Sequence, residues 1–81
     1  MQRDEALIYR ILKMLRSRAP ASLEEARIVS QLQPACAGHG EHVREQLHYL
    51  HHAGMLKRIL VAKNRPAYQL DWAGYDYLDG A

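Results

Sequence analysis

The chain has 81 residues, of which 48% are hydrophobic and 25% are charged, and its formal net charge is +2. This length provides for one hydrophobic core, so residues 1–81 are expected to form a single domain with the composition of a globular protein, which excludes the disordered class. Because no apolar run approaches the roughly 20 residues that cross a bilayer, and no signal-peptide pattern opens the chain, we expect a cytoplasmic protein without a membrane partner.

Two helices are predicted in the first half of the chain. Between residues 4 and 16, apolar residues recur at steps of three and four, which is the spacing of an amphipathic helix, and Pro20 lies beyond its end. Ser22 and Glu25 have the spacing of a capping box. A second helix is therefore expected to start at Ser22 and to end at Pro34.

A third helix is predicted after a segment of small residues and helix breakers, residues 34–40, which is interpreted as a turn. The helix is expected over about residues 41–53, because Gly54 occupies the position of a left-handed C-cap. Its apolar side carries Val43, Leu47 and Leu50. A projection at 100° per residue places polar side chains on the opposite side. These are Glu41, Arg44, Glu45, His48 and His52, with His42 and His51 toward the flanks.

A β-hairpin is predicted from residues 55–62 and 67–71, which are rich in β-branched or alternating apolar residues and flank a turn at residues 63–66. Asp71 would cap a short final helix. A short first strand could also lie near Ala21. Three helices, a hairpin wing and a short C-terminal helix correspond to an α+β winged helix-turn-helix domain, in which the second and third helices form the helix-turn-helix. An all-helical bundle is the alternative.

Aromatic residues are concentrated near the end of the chain. They could stack on bases, as in single-strand binders, but their spacing beside leucines favours packing that seals a small core. These residues are Tyr68, Trp72, Tyr75 and Tyr77.

Two segments resemble known families. Residues 46–56 resemble the helix-to-strand passage of many winged-helix regulators, in which a helix ends in Ala-Gly. Together with residues 68–79, they resemble a family of short bacterial and phage proteins with an ending similar to Leu-Thr-Trp-Glu-Gly-His-Asp-Phe-Leu. Asp71 replaces the threonine of that ending and can also cap a helix, whereas Ala73 and Tyr75 replace its acidic and histidine positions. The resemblance covers most of the chain, implies the winged-helix fold and a bacterial or phage origin, and assigns no site.

The leading functional hypothesis is a transcriptional regulator that binds double-stranded DNA. The third helix would read the major groove, with Arg44 and His48 facing base edges, and the hairpin would act as the wing. Four cations and one asparagine around the hairpin would reach phosphates. These are Lys57, Arg58, Lys63, Asn64 and Arg65. The competing interpretation is that they form a solvated edge that discourages aggregation between strands.

The third helix also supports a second hypothesis. Glu41 and Glu45 outnumber Arg44, so the helix has a formal charge near −1 and would repel phosphates unless each carboxylate has a partner. The alternative function is therefore a protein-interaction module without DNA binding, since a fold does not dictate a function. A homodimer is expected for the DNA-binding hypothesis, because one recognition helix contacts few base pairs and a dimer recognises two half-sites.

Metal and enzyme chemistry are poorly supported. Cys36, the single cysteine, with His39 and His42 suggests metal ligands, but the spacing completes no known site, so no metal or other cofactor is expected. No glycine-rich phosphate loop, nucleophile elbow or metal-hydrolase helix occurs in the sequence. We therefore expect no catalytic residues and no enzymatic activity.

Overall fold

The helices and strands follow the predicted order. The computed structural model describes residues 3–32 and 40–80. Its elements are α1 (Glu5–Arg18), β1 (Leu23–Glu24), α2 (Glu25–Leu32), α3 (Gly40–His52), β2 (Leu56–Ala62), β3 (Arg65–Leu70) and α4 (Trp72–Leu78). The predicted turn at residues 34–40 lies outside the described residues except for Gly40, as do Cys36 and His39. The described part contains no helix that is long and apolar enough to cross a membrane.

The core is formed by the apolar sides of the helices and one face of the sheet. The first helix is amphipathic as predicted, and it starts after Asp4, whose Oδ1 accepts the Leu7 N–H at 3.1 Å. It ends before Pro20, which follows a cis peptide bond. The helical core residues are Leu7, Ile8, Ile11, Leu12, Leu15, Ile28, Val29, Leu32, Val43, Leu47 and Leu50, and the sheet contributes Leu23, Leu56, Tyr68 and Leu70. Because α1, α2, α3 and all three strands supply part of it, this core fixes α3 and the hairpin relative to each other.

The sheet has the strand order β1-β3-β2 and is antiparallel throughout. The first strand, expected near Ala21, pairs Leu23 with Tyr68. The hairpin turn is shorter than predicted, because Ala62 pairs with Arg65 and leaves two residues between the strands. One of them, Asn64, has a φ of 64°, a left-handed conformation that asparagine tolerates better than most residues.

The predicted start of the second helix is wrong. The helix begins at Glu25, and the residues just before it form β1 instead of a helical turn, so Ser22 is not its N-cap. Tertiary packing explains the difference, because Leu23 is buried in the core while its backbone pairs with Tyr68. A helical turn here would give up both interactions.

The predicted packing of the terminal aromatic residues holds for three of the four. Tyr68 is fully buried, and Tyr75 and Tyr77 pack against the core. Trp72, however, is 82% exposed, so its predicted burial is wrong. Asp71 caps α4 as expected, but the inward position of the helix is taken by the buried Gly74, where an added Cβ would lie 2.5 Å from the Met55 carbonyl oxygen. This close backbone approach leaves Trp72 on the solvent side.

Candidate nucleic-acid interface

The third helix presents the polar side that the sequence predicts. Val43, Leu47 and Leu50 are fully buried, because their three- and four-residue spacing aligns them toward the core. The residues of the opposite side are all exposed, namely Glu41, Arg44, Glu45, His48 and His52. This side of α3 is therefore available for contact with a partner.

The start of α3 is held against the start of α1 by one carboxylate. The Oδ2 atom of Asp4 lies 2.9 Å from His42 Nε2, while its backbone N–H donates to Gln46 Oε1 at 3.2 Å. The hydrogen bond from His42, supported by the Leu7 N–H, lowers the pKa of Asp4 below its usual value. These contacts set the position of the end of α3 that carries Glu41 and Arg44.

A polar cluster joins α2, α3 and the hairpin, and we call it the Glu25 cluster. Glu25 Oε2 lies 3.9 Å from Arg44 Nε on α3. Glu25 and Arg58 both lie close to the hydroxyl of Tyr68, which is buried and has no hydrogen-bond partner among the described residues. Burial raises the pKa of Tyr68, the Glu25 carboxylate raises it further, and the Arg58 guanidinium opposes the shift. Glu25 therefore pairs with a cation of α3 and shares the Tyr68 hydroxyl as a neighbour with a cation of the hairpin.

The hairpin cations do not share one surface. Side chains that alternate along a strand point to opposite faces, so Lys57, whose cross-strand neighbour is Gln69, lies on the opposite face from Arg58, whose neighbour is Tyr68. Arg58 lies on the face that carries the Glu25 cluster. Lys63 lies at the exposed tip beside Asn64. The hairpin cations are close in sequence, but the structure does not place them on one surface.

Arg65 is engaged by a carboxylate on the neighbouring edge of the sheet. Its Nη2 and Nε atoms donate to the two oxygens of Glu24 at 2.5 and 3.1 Å. This bidentate contact raises the pKa of Arg65. The side chain is still 59% exposed, but a phosphate would have to compete with Glu24 for it.

Histidines cluster toward the end of α3. His51 Nδ1 lies 3.3 Å from the carbonyl oxygen of Leu56, to which it can donate, and its ring is 5.5 Å from that of His52. His51 thus helps to hold the end of α3 against β2, while His48 stays exposed. Within residues 3–32 and 40–80, no three His, Cys, Asp or Glu side chains form a group that could hold a metal ion. Two ligands of the metal hypothesis, Cys36 and His39, lie outside those ranges.

Two residues of this region were missed by the sequence reasoning. The sequence predicts Glu25 as part of a capping box, whereas in the structure it pairs with Arg44 and lies near the Tyr68 hydroxyl. Arg27, on the exposed side of α2, has no ion pair among the described residues, and no sequence-based prediction assigned it a contact. The exposure of Arg27 could have been predicted from the helical periodicity of α2. The contacts of Glu25 could not, because Arg44, Arg58 and Tyr68 lie in three distant segments of the chain.

One solved structure resembles this arrangement closely. A ferric uptake regulator from Francisella tularensis, determined with iron, superposes with a TM-score of 0.68 over 88% of this chain, at 18% sequence identity. The chain has a winged helix-turn-helix fold. In this winged-helix domain α2 and α3 are the helix-turn-helix and β2 and β3 are the wing. The chain corresponds to 54% of that regulator's length. No protein-family model and no curated protein sequence matches it.

Proposed function

We propose that this winged-helix protein is a bacterial or phage transcriptional regulator that binds double-stranded DNA as a homodimer. In this proposal α3 enters the major groove, where Arg44 and His48 face base edges, and the wing contacts the adjacent backbone. Lys63 and Asn64 at the tip and Arg58 are the primary phosphate contacts. Lys57 and Arg65 are secondary, because one lies on the opposite face and the other is paired with Glu24.

The observation that carries the proposal is the Glu25 cluster. Glu25 pairs with Arg44 of the helix, and Glu25 and Arg58 of the wing both lie near the Tyr68 hydroxyl, although these residues belong to separate elements. The exposed side of α3 and one face of the wing therefore lie next to each other, which is the geometry needed to contact bases and backbone together. The resemblance to a solved structure named as a regulator supports the same reading.

The acidic residues of α3 set the expected mode of binding. Glu41 and Glu45 are exposed and repel phosphates, so binding to arbitrary DNA should be weak. A glutamate carboxylate can instead accept a hydrogen bond from the N4 amino group of cytosine in the major groove. The proposal therefore favours a regulator that depends strongly on the correct sequence.

The test is selection of duplexes from a random library, followed by titration of the best duplex at several salt concentrations. We expect Arg44→Ala to weaken binding about 5- to 150-fold, the effect of losing one bidentate base contact. Arg10→Ala is the matched control, because Arg10 is an exposed cation on α1 and the change removes the same charge. It should leave the affinity close to that of wild type, because Arg10 lies on α1, outside the proposed interface.

Two results would reject sequence-specific DNA binding through α3. One is the failure of every selection round to enrich a sequence, with no shift of any duplex even at low salt. The other is an equal loss of affinity in Arg44→Ala and Arg10→Ala, which would indicate nonspecific attraction by net charge. The first result would favour the protein-interaction module, for which the exposed polar side of α3 is equally accessible.

A further inference from the structure

The single tryptophan of the chain lies on the surface, outside the hydrophobic core. Trp72 is 82% exposed, although tryptophan is the side chain with most apolar surface to bury. It begins a stripe along α4 in which Tyr75, Asp76 and Asp79 follow at steps of three and four residues, so all four share one side of the helix. The far end of the stripe is tied to α1, because Asp79 Oδ1 lies 2.8 Å from Arg16 Nη1.

A groove lies beside this end of the stripe, between α1 and α4. It has a volume of about 290 Å³ and is lined by Tyr9, Lys13, Arg16, Ser17 and Leu78. The Lys13 ammonium lies 5.2 Å from the centre of the Tyr9 ring, which is itself 48% exposed. The groove thus combines apolar walls with two cations, a combination that suits an aromatic ring accompanied by a carboxylate.

The two helices that border the groove have opposite charges. The α1 helix contains four cations and one carboxylate. Residues 71–80 contain three aspartates and no lysine or arginine. Within one molecule only the Arg16–Asp79 ion pair connects these charges in the described part of the chain, so Lys13 and Asp76 have no ion-pair partner there. Lys13 of the groove can therefore pair with a carboxylate of α4 from another copy.

We infer that Trp72 of one copy inserts into the α1–α4 groove of a second copy, and that two such insertions form the homodimer interface. Trp72 and Leu78 are six residues apart, about 9 Å along the helix at the usual rise. Antiparallel packing of the two α4 helices then places each Trp72 beside the other copy's Leu78, with Tyr75 at the two-fold axis. The contact is the same in both directions, as a closed dimer requires.

A second copy fits this surface better than an unrelated protein. Asp71 adjoins Trp72 in sequence, so insertion of the indole brings its carboxylate toward Lys13 and Arg16 of the other copy. The surface supplies both the aromatic side chain and its groove, which is the self-complementarity of an isologous interface. This inference deepens the homodimer part of the proposed function and rests on it, but it can be measured in the absence of DNA.

The experiment combines sedimentation velocity with tryptophan fluorescence over a concentration series without DNA. Wild-type protein should form a dimer, and the emission of Trp72 should shift to shorter wavelength and resist acrylamide quenching as the dimer forms. Trp72→Ala should weaken dimerisation at least about tenfold, as expected for a central tryptophan. Lys13→Glu should also weaken dimerisation, and this variant keeps Trp72 as the fluorophore. Leu60→Ser is the matched control, because Leu60 is an apolar residue 63% exposed on the wing.

Three results would overturn the inference. They are a wild-type protein that stays monomeric at every concentration, a dimer that persists in both Trp72→Ala and Lys13→Glu, and a dimer whose tryptophan emission does not change. Quenching of Trp72 by single-stranded oligonucleotides in a monomeric protein would also overturn it, by identifying a nucleic acid as the occupant. A monomer that still binds a selected duplex would reject the interface and leave the DNA-binding part of the proposed function intact.

Discussion

Replacing Glu25 by glutamine should tighten DNA binding, although a substitution at an interface usually weakens it. Glu25 Oε2 lies 3.9 Å from Arg44 Nε and reduces the charge that Arg44 offers to DNA. Neutralising it frees one cation and removes one carboxylate from the neighbourhood of the phosphates. The slope of log affinity against log salt should become steeper, because a carboxylate beside the phosphates is lost. The gain in affinity should reach up to about tenfold, which corresponds to about 1.4 kcal/mol.

The cost of this substitution to the fold should be small. At 3.9 Å, two unit charges interact by about 4 kcal/mol at an effective dielectric constant of about 20. The Arg44 side chain is 51% exposed, however, and solvent screening reduces such a pair to about 0–1 kcal/mol. Glu25 also lies in the first turn of α2, where a negative charge contributes about 0.3–1 kcal/mol. Together these give a loss of about 1 kcal/mol and a melting temperature about 4–8 °C lower.

Fluorescence anisotropy of a labelled duplex, measured from about 50 to about 200 mM salt, tests this reasoning, with thermal unfolding recorded in parallel. A double-mutant cycle gives the control. The gain from Glu25→Gln should disappear in an Arg44→Ala background if it acts through Arg44. An equal gain in both backgrounds would refute the proposed role of the ion pair, and weaker binding by Glu25→Gln would show that the carboxylate itself contributes a favourable contact.

Three further changes test the packing around the site. Asp4→Ala removes the α1 cap and should cost about 1 kcal/mol at neutral pH, measured by denaturant unfolding. Because the His42 hydrogen bond holds the pKa of Asp4 below 3.8, the charged carboxylate stabilises the fold above that pH, and the difference from wild type should shrink as pH falls below it. Gly74→Ala places a Cβ 2.5 Å from the Met55 carbonyl oxygen and should cost about 1–3 kcal/mol, seen as a lower melting temperature. Tyr68→Phe removes a buried hydroxyl without a hydrogen-bond partner in the described part, so the melting temperature should stay the same or rise.

Each of these expectations has a contrary outcome. A stability difference for Asp4→Ala that persists at pH 2 would show that the charge of the carboxylate does not stabilise the fold. An unchanged melting temperature for Gly74→Ala would mean that α4 can move away from Met55 at no cost. A loss of more than about 1 kcal/mol in Tyr68→Phe would show that the hydroxyl is hydrogen-bonded in solution.

The sequence was a good guide where one local signal dominates. The spacing of apolar residues located α1 and α3, and Asp71 correctly marked the start of α4. The exposed side of α3 also followed from its periodicity, because a helix with one apolar stripe has only one side left for solvent. These helices and the exposed side of α3 could be predicted without knowing which elements pack together.

The sequence misled where two segments far apart in the chain compete for the same residue. Ser22 has the correct spacing for a helix cap, but the pairing of Leu23 with Tyr68 keeps the backbone extended. The exposure of Trp72 depends on the close approach of Gly74 to Met55, which no local pattern indicates. The separation of Lys57 from Arg58 follows from strand alternation alone, whereas the face on which each lies depends on the hairpin register.

The pairing of the two-residue strand β1 with β3 has a consequence for how the domain unfolds. Leu23 and Tyr68 are 45 positions apart, and their contact closes a loop that contains both helices of the helix-turn-helix. Contacts of such large sequence separation slow folding. This contact also joins the start of the helix-turn-helix to the wing, so we expect the two to open as one cooperative unit. The helices should therefore not persist after the hairpin detaches, and hydrogen exchange at the most protected amides of α3 and β3 should report the same global opening.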